Sequence, residues 1–495
     1  MRKQHLLIGL IAITTLLLFT HLRTTKTPAQ RSQNLPSLPS SPLLEPNALS
    51  VGKQVSLPLI NQQFIAGVIN SAQEIVNGTW QYGGNLLQDD GTFALAIERD
   101  RSISGTIIIP SRQIGYVLKP TEPGAPLMFE PSPITGLLCH QTPGDNNMDL
   151  EEAGALVEAG TVATTSNVIN IPRLASRPNS KFHVYLDFDG ERVQDPLWNG
   201  GKLIEAKPPA FSEGQIREIW AIVAERYAAF NINVSTRVED YMNADINSRT
   251  RAIFTPTNQW RRGFGGIAMI GSVRNAGRSV WSPTIPCWVF TNMLGRLRSV
   301  GECAAHEIGH TLGLLHDGQG KTAYYQGQGA WAPIMGVTYN RPVAQWSKGE
   351  YLGATNTQDD LAVILSNRNV TSAVTERTAP TLTFIDGIRA MGVICSETDV
   401  ATYRTSVSRS CTLKLKGSVP TYGGLNLKLE LLNAKGNVLV TADSLNSLDA
   451  LATVGLTPGT YTVRVHGVGE GDPRTTGYSK YGSIGTFTLT TELVD

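Results

Sequence analysis

Residues 306–317 read His306-Glu307-Ile308-Gly309-His310-Thr311-Leu312-Gly313-Leu314-Leu315-His316-Asp317. The chain has eight histidines, and three of them fall within this stretch, which suggests a metal site rather than scattered surface groups. His306 and His310 stand four apart, so on a helix their rings leave the same face. Glu307 sits beside that face, where a general base for a metal-activated water is needed. Gly313 accepts the left-handed backbone that ends a helix and turns the chain back. His316 then arrives from beyond the turn as a third ligand. Imidazole nitrogens suit zinc. Three protein ligands leave a fourth tetrahedral position open, which marks a catalytic rather than a structural ion.

The run from His306 to His316 resembles the metzincin zinc endopeptidases, and Asp317 after the third histidine is similar to their adamalysin/reprolysin branch. Pro333-Ile334-Met335-Gly336 lies at a suitable distance to be the methionine turn of that family. The resemblance extends over roughly residues 181–368. It implies Zn2+ on His306, His310 and His316, a general base at Glu307, a structural floor at Met335, and protein or peptide substrates. Some metzincins place a catalytic tyrosine two residues after the methionine. Here that position is Val337, and the nearest tyrosine is Tyr339. The dense disulfides of animal adamalysins are absent, so the resemblance is to a bacterial relative.

Such a site needs a rigid frame. Phe182–Gly190 reads as a strand ending in a turn. Ser212 caps a helix whose apolar positions Ile216, Ile219, Trp220, Val223 and Tyr227 follow the 3.6-residue period. Phe230–Ser235, Arg251–Phe254 and Cys287–Phe290 read as further strands, with a Gly-rich stretch at Gly263–Gly266. Gln358–Leu365 reads as a closing helix. Strands, then the metal helix, then a methionine turn fit an α+β metzincin catalytic domain: a twisted mixed sheet over residues 179–372. A β-rich N-terminal region (61–178), a candidate pro-domain, precedes it. Residues 380–495 alternate apolar and polar side chains between Gly, Pro and Asn turns, the pattern of an all-β sandwich. There, Leu456–Tyr461 and Gly477–Gly485 resemble the jelly-roll-like bacterial pre-peptidase C-terminal domain.

The N-terminus opens Met1-Arg2-Lys3-Gln4-His5 and continues into an apolar run from Leu6 to Thr20. That is a signal peptide over residues 1–29, with a retained N-terminal membrane anchor as the alternative. Residues 30–60 read as a Pro/Ser/Asn-rich linker. Either way the bulk of the chain is expected to be exported: secreted, periplasmic or extracellular. A net charge of +1 gives no reason to expect nucleic acid as a partner. Oligomeric state is open.

Five cysteines fit an oxidising compartment. Cys287 could pair with Cys303, and Cys395 with Cys411, leaving Cys139. A thiolate is a good zinc ligand, and Cys139 lies just ahead of the catalytic domain, where a cysteine switch capping the metal would sit. Its surroundings, Leu137-Leu138-Cys139-His140, differ from the Pro-Arg-Cys-Gly of matrix metalloproteases. Asp187 and Asp189 are candidate ligands for a structural Ca2+. Two carboxylates and a glycine fall short of the six or more oxygens calcium needs, so solvated strand-end acids are the plainer reading. A catalytically silent metzincin scaffold, acting in adhesion or binding, is the competing function. It has no use for Glu307.

Overall fold

The computed structural model describes residues 49–494 except 61–62, 76–77, 120–126, 135–137, 142–169, 374–388 and 446. The expected signal peptide and most of the linker lie outside the described residues. Among the described residues no helix is long and apolar enough to cross a membrane.

Seven antiparallel strands, from Gln54–Pro58 to Glu130–Pro133, form an N-terminal meander in which each strand pairs with the next. Its first strand falls inside the stretch expected as linker. The catalytic region is built on a six-stranded mixed sheet. Its strands are β1 (Leu138–Gln141), β2 (Phe182–Asp187), β3 (Ile232–Ser235), β4 (Arg249–Thr255), β5 (Gly266–Met269) and β6 (Cys287–Phe290). They lie in the order β3-β2-β4-β6-β5-β1. The first four are parallel, and β5 runs antiparallel to β6.

Helix α1 (Glu213–Arg226) begins as its sequence requires. Ser212 Oγ accepts from the Gln215 amide, and Gln215 Oε1 in turn accepts from the Ser212 amide. Of its buried residues, Ile216, Ile219 and Val223 share one core with the sheet and helix α2 (Leu297–Thr311). Where the two helices cross, Gly301 faces Ile222 so closely that a Cβ there would lie 2.9 Å from it. The buried Arg226 and Glu302 form an ion pair across the same contact, at 2.6 and 3.0 Å. Helix α3 (Asp360–Leu365) is capped by the Asp359 carboxylate on the Ala362 amide, so it starts two residues later than its sequence suggests.

Residues on successive positions of β4 and β6 point to opposite faces. Phe254 and Val289 enter the helix-side core, while Ile253, Trp288 and Phe290 join a second core with Ala94, Ala96 and Ile108 of the N-terminal sheet. The C-terminal region forms two four-stranded antiparallel sheets. Its Leu425, Tyr481 and Ile484 are continuous with the helix-side core.

The expected disulfides do not form. Cys287, Cys303 and Cys411 carry thiols. Cys287 on β6 and Cys303 on α2 are wholly buried between sheet and helix, where a thiol serves as a small apolar side chain. Asp187 also departs from expectation. It is buried rather than solvated, with the Arg251 guanidinium at 3.7 Å, itself bound to Glu191 at 2.5 Å. A guanidinium in that place would repel a calcium ion.

Candidate metal centre

Helix α2 is buried along nearly its whole length, from Ser299 to Thr311. It ends as the glycine requires: Gly313 has φ +105°, its amide bonds to His310 O at 2.9 Å, and the Leu314 amide bonds to Gly309 O at 3.1 Å. The reversed chain brings His316 back against the two helical histidines. One ring nitrogen from each of His306, His310 and His316 lies within 4.8 Å of the others, the only such group of three or more His, Cys, Asp or Glu ligands among the described residues.

The hydrogen bonds fix two of the tautomers. His306 Nδ1 lies 2.8 Å from Ile334 O, and His310 Nδ1 lies 2.7 Å from Leu314 O. A carbonyl can only accept, so each Nδ1 carries the proton and each Nε2 presents a lone pair. The two Nε2 atoms are 2.9 Å apart. Two lone pairs facing at that distance repel unless a cation lies between them, and zinc bonds of 2.0–2.1 Å would set them roughly 3.3 Å apart. Burial pushes the His306 pKa down to about 4 and His310 further below the usual range, with His306 and His316 adding to the effect on His310. Both rings are therefore neutral at pH 7, as a metal ligand must be. The donor set fits zinc.

Glu307 is fully buried, and neither carboxyl oxygen has a hydrogen-bond partner. Burial holds its pKa well above the usual carboxylate range. Strand β5 approaches it closely: a Cβ on Gly266 would lie 2.6 Å from Glu307 Oε1 and 2.8 Å from Cys303 Sγ. A lone carboxyl of raised pKa beside a metal position is suited to accept and return a proton. Met335 is wholly buried under the helix, and Gly309 makes room for it; a Cβ there would meet its sulfur at 2.8 Å. The Asp317 amide bonds to Met335 O at 2.8 Å, tying the third histidine's neighbour to that turn. Burial pushes the Asp317 carboxyl up to about 8.

Residues 224–317 match the family model of the reprolysin-like metallo-peptidases, family M12B. Over those residues the chain is similar to the reprolysin-like metallopeptidases, a family that implies zinc. No curated protein matches. Among solved structures, the pre-peptidase C-terminal domain of a collagenase from Bacillus anthracis is similar at 15% identity, covering 24% of this chain and 100% of that domain, with a TM-score of 0.18.

The remaining candidates separate. Tyr339 is buried, with its hydroxyl against the Cys303 thiol. The backbone of Cys139 lies in β1, paired with Ala268 of β5; its side chain is outside the described residues. Two contributors carry no sequence signal. Gly266 belongs to a Gly-rich stretch that looks like a connection but is a strand. Tyr324 lies in a loop rich in Gly and Gln, yet its ring centroid is 4.1 Å from that of His316.

Proposed function

We propose that this chain is an exported zinc endopeptidase that hydrolyses protein or peptide substrates. The observation that supports it most directly is the meeting of three imidazoles beside the partnerless Glu307 carboxyl. His306 and His310 would hold the ion through Nε2, and His316 through a ring nitrogen. A zinc ion held there would supply Lewis acidity toward the scissile carbonyl and the attacking water. The rest falls to the chain's own groups. Glu307 takes the proton of the attacking water as the carbonyl carbon becomes tetrahedral, then delivers it to the departing amine nitrogen. The carbonyls of Ile334 and Leu314 keep the two helical rings in the ligating tautomer throughout. Burial keeps bulk water from competing for the Glu307 proton.

The test is a zymogram with and without a zinc chelator, run beside metal analysis of two variants. Glu307→Ala is expected to keep its zinc and to lose roughly 10²–10⁴-fold or more of the cleavage rate, the range for removing a general base. His310→Ala should lose both zinc and cleavage. Cleavage persisting in the Glu307 variant would refute the mechanism. A wild-type chain that holds zinc but still cuts nothing once it has been nicked between residues 142 and 169 would favour the binding scaffold instead.

We further propose that the chain is latent as synthesised. Strand β1 lies along β5, the strand whose Gly266 backs onto Glu307. Cys139 in that strand is the candidate cap for the fourth metal position. The basic and apolar N-terminus supports export, by signal peptide or by retained anchor.

A further inference from the structure

Successive residues of β5 face opposite sides of the sheet. Ala268 belongs to the core shared with helix α2, while Ile267 and Met269 line a cavity of about 110 Å³ on the other side. Asn85 and Thr92 of the N-terminal meander contribute to its lining, as do Trp198, Trp260 and Arg261 of the catalytic region. At about 30 Å³ per water the cavity has room for roughly three waters, and so for one small oxyanion.

The polar atoms gathered here are donors. Arg261 Nε and Nη2, Trp198 Nε1 and Trp260 Nε1 are buried and have no hydrogen-bond partner among the described residues. Trp198 is 2% exposed, and the two indoles meet edge to face at 5.9 Å. A guanidinium and an indole N–H donate and never accept, so these groups cannot satisfy one another. Each destabilises the fold until an acceptor meets it. The Asp90 carboxylate also lines the cavity, but it accepts from the Ser111 hydroxyl at 2.7 Å and from the Ser111 amide at 3.2 and 3.3 Å. It offsets only part of the burial that draws the Arg261 pKa down.

Nε and Nη2 form one edge of a guanidinium, with two N–H bonds pointing the same way. Arg226 uses that edge to hold the Glu302 carboxylate at 3.0 and 2.6 Å. Arg261 carries the same edge, and the described residues bring no oxygen within hydrogen-bond reach of it. The Phe264 ring flanks it, 5.1 Å from the guanidinium carbon.

We propose that this cavity binds a small oxyanion, a carboxylate or inorganic phosphate, held bidentate by Arg261 and further by the indole N–H groups of Trp198 and Trp260. The anion lies in the seam between the meander and the catalytic sheet, so its binding fastens one to the other. It lies on the sheet face away from helix α2 and does not depend on zinc.

The experiment titrates the full uncleaved chain with sodium phosphate and, separately, sodium acetate, each against sodium chloride at equal ionic strength. Tryptophan emission is followed because two indoles line the cavity, and melting temperature is read beside it. At least one of the two oxyanions should give a saturable change in emission and a higher melting temperature, and chloride should give neither. A response to acetate alone assigns the site to a carboxylate, and one to phosphate alone to a tetrahedral anion. Arg261→Lys keeps the charge and loses the bidentate edge. Its half-saturation should rise roughly 10-fold or more, the effect of losing one hydrogen bond to a charged group. Trp260→Phe keeps an aromatic ring and loses one donor, so the anion-induced rise in melting temperature should shrink. Arg404→Gln, at an exposed position of the C-terminal region, should titrate as the wild type does. Each variant is read against its own anion-free form. Phosphate strengthens burial in proteins generally. A rise in melting temperature common to every variant, without a saturable change in emission, would therefore overturn the site and leave water as the acceptor. Wild-type half-saturation in Arg261→Lys would overturn it as well.

Discussion

Asp187 ends strand β2 with a carboxyl that is 1% exposed, and its Oδ1 has no hydrogen-bond partner. Burial pushes its pKa up to about 8, a bond from the Asp189 side chain adds to the rise, and Arg251 offsets part of it. In the unfolded chain the same group ionises near 4. Between those values the native state binds more protons than the unfolded state. Its stabilising contribution is therefore complete below pH 4 and is lost as the pH rises through 8. Asp187→Asn removes this titration while keeping shape. The variant should gain stability relative to the parent between pH 5 and pH 9, on the order of 4 kcal/mol, measured by denaturant unfolding at both pH values. A constant difference across that range would contradict it. The burial was hidden in the sequence: Asp187-Phe188-Asp189-Gly190 looks like a solvated turn because Arg251 arrives from another strand. The metal histidines were legible for the opposite reason, since their geometry is set by helical spacing within eleven residues. Tyr324 was not, because its contact with His316 depends on how a loop closes.

At the scale of elements, the site depends on how closely β5, α2 and the methionine turn approach one another. The order of strands and helices could be read from hydrophobic period and capping, and Ser212 forms the cap its sequence suggests. The strand β5 could not, because four residues beginning at a glycine carry too little pattern. The thiols of Cys287 and Cys303 show a related limit: an export signal suggests disulfides, but only the packing of β6 on α2 decides that these two serve the core. Gly266→Ala tests the approach directly. The added methyl meets Glu307 and Cys303 and must displace one of them, at a cost of about 1–3 kcal/mol for overpacking. Zinc content should be retained and peptidase activity should fall at least 10-fold, consistent with a displaced base. Unchanged activity would mean Glu307 can move without consequence. Strand β1 on the outer edge of β5 gives the companion test. Cys139→Ser should raise the activity of the uncleaved chain if the thiol caps the metal, and unchanged latency would sink that assignment.

At the scale of the whole molecule, the N-terminal sheet is joined to the catalytic sheet by a shared core. Trp198, Ile253, Ile267, Met269, Trp288 and Phe290 on one side meet Ala94, Ala96 and Ile108 on the other. Gly83 permits the approach, since a Cβ there would lie 2.7 Å from Pro196 Cα. Polar contacts register the two parts: Gln81 Nε2 donates to Ser279 O at 2.8 Å, and Asn70 Nδ2 to Gly200 O at 2.9 Å. None of this was visible in the sequence, where the same region suggested a removable pro-domain, because the strands that bury Trp288 and Ile267 alternate no differently from strands facing water. A segment that activates by leaving should leave little apolar surface behind. Each large side chain exposed here would forfeit about 1.5–3 kcal/mol, so losing the cover from several of them approaches the full stability of an ordinary domain. Activation is therefore expected to release the β1 strand while the meander stays attached. Deleting residues 49–134 should give an aggregating chain, or one whose tryptophan emission shifts to the red and whose melting temperature falls by 10 °C or more, on the order expected for several kcal/mol. Nicking between residues 142 and 169 should instead leave emission and melting unchanged while activity rises. A truncated chain that stays soluble, blue-emitting and as stable as the parent would show that the shared core is dispensable and that the meander can depart as a pro-domain.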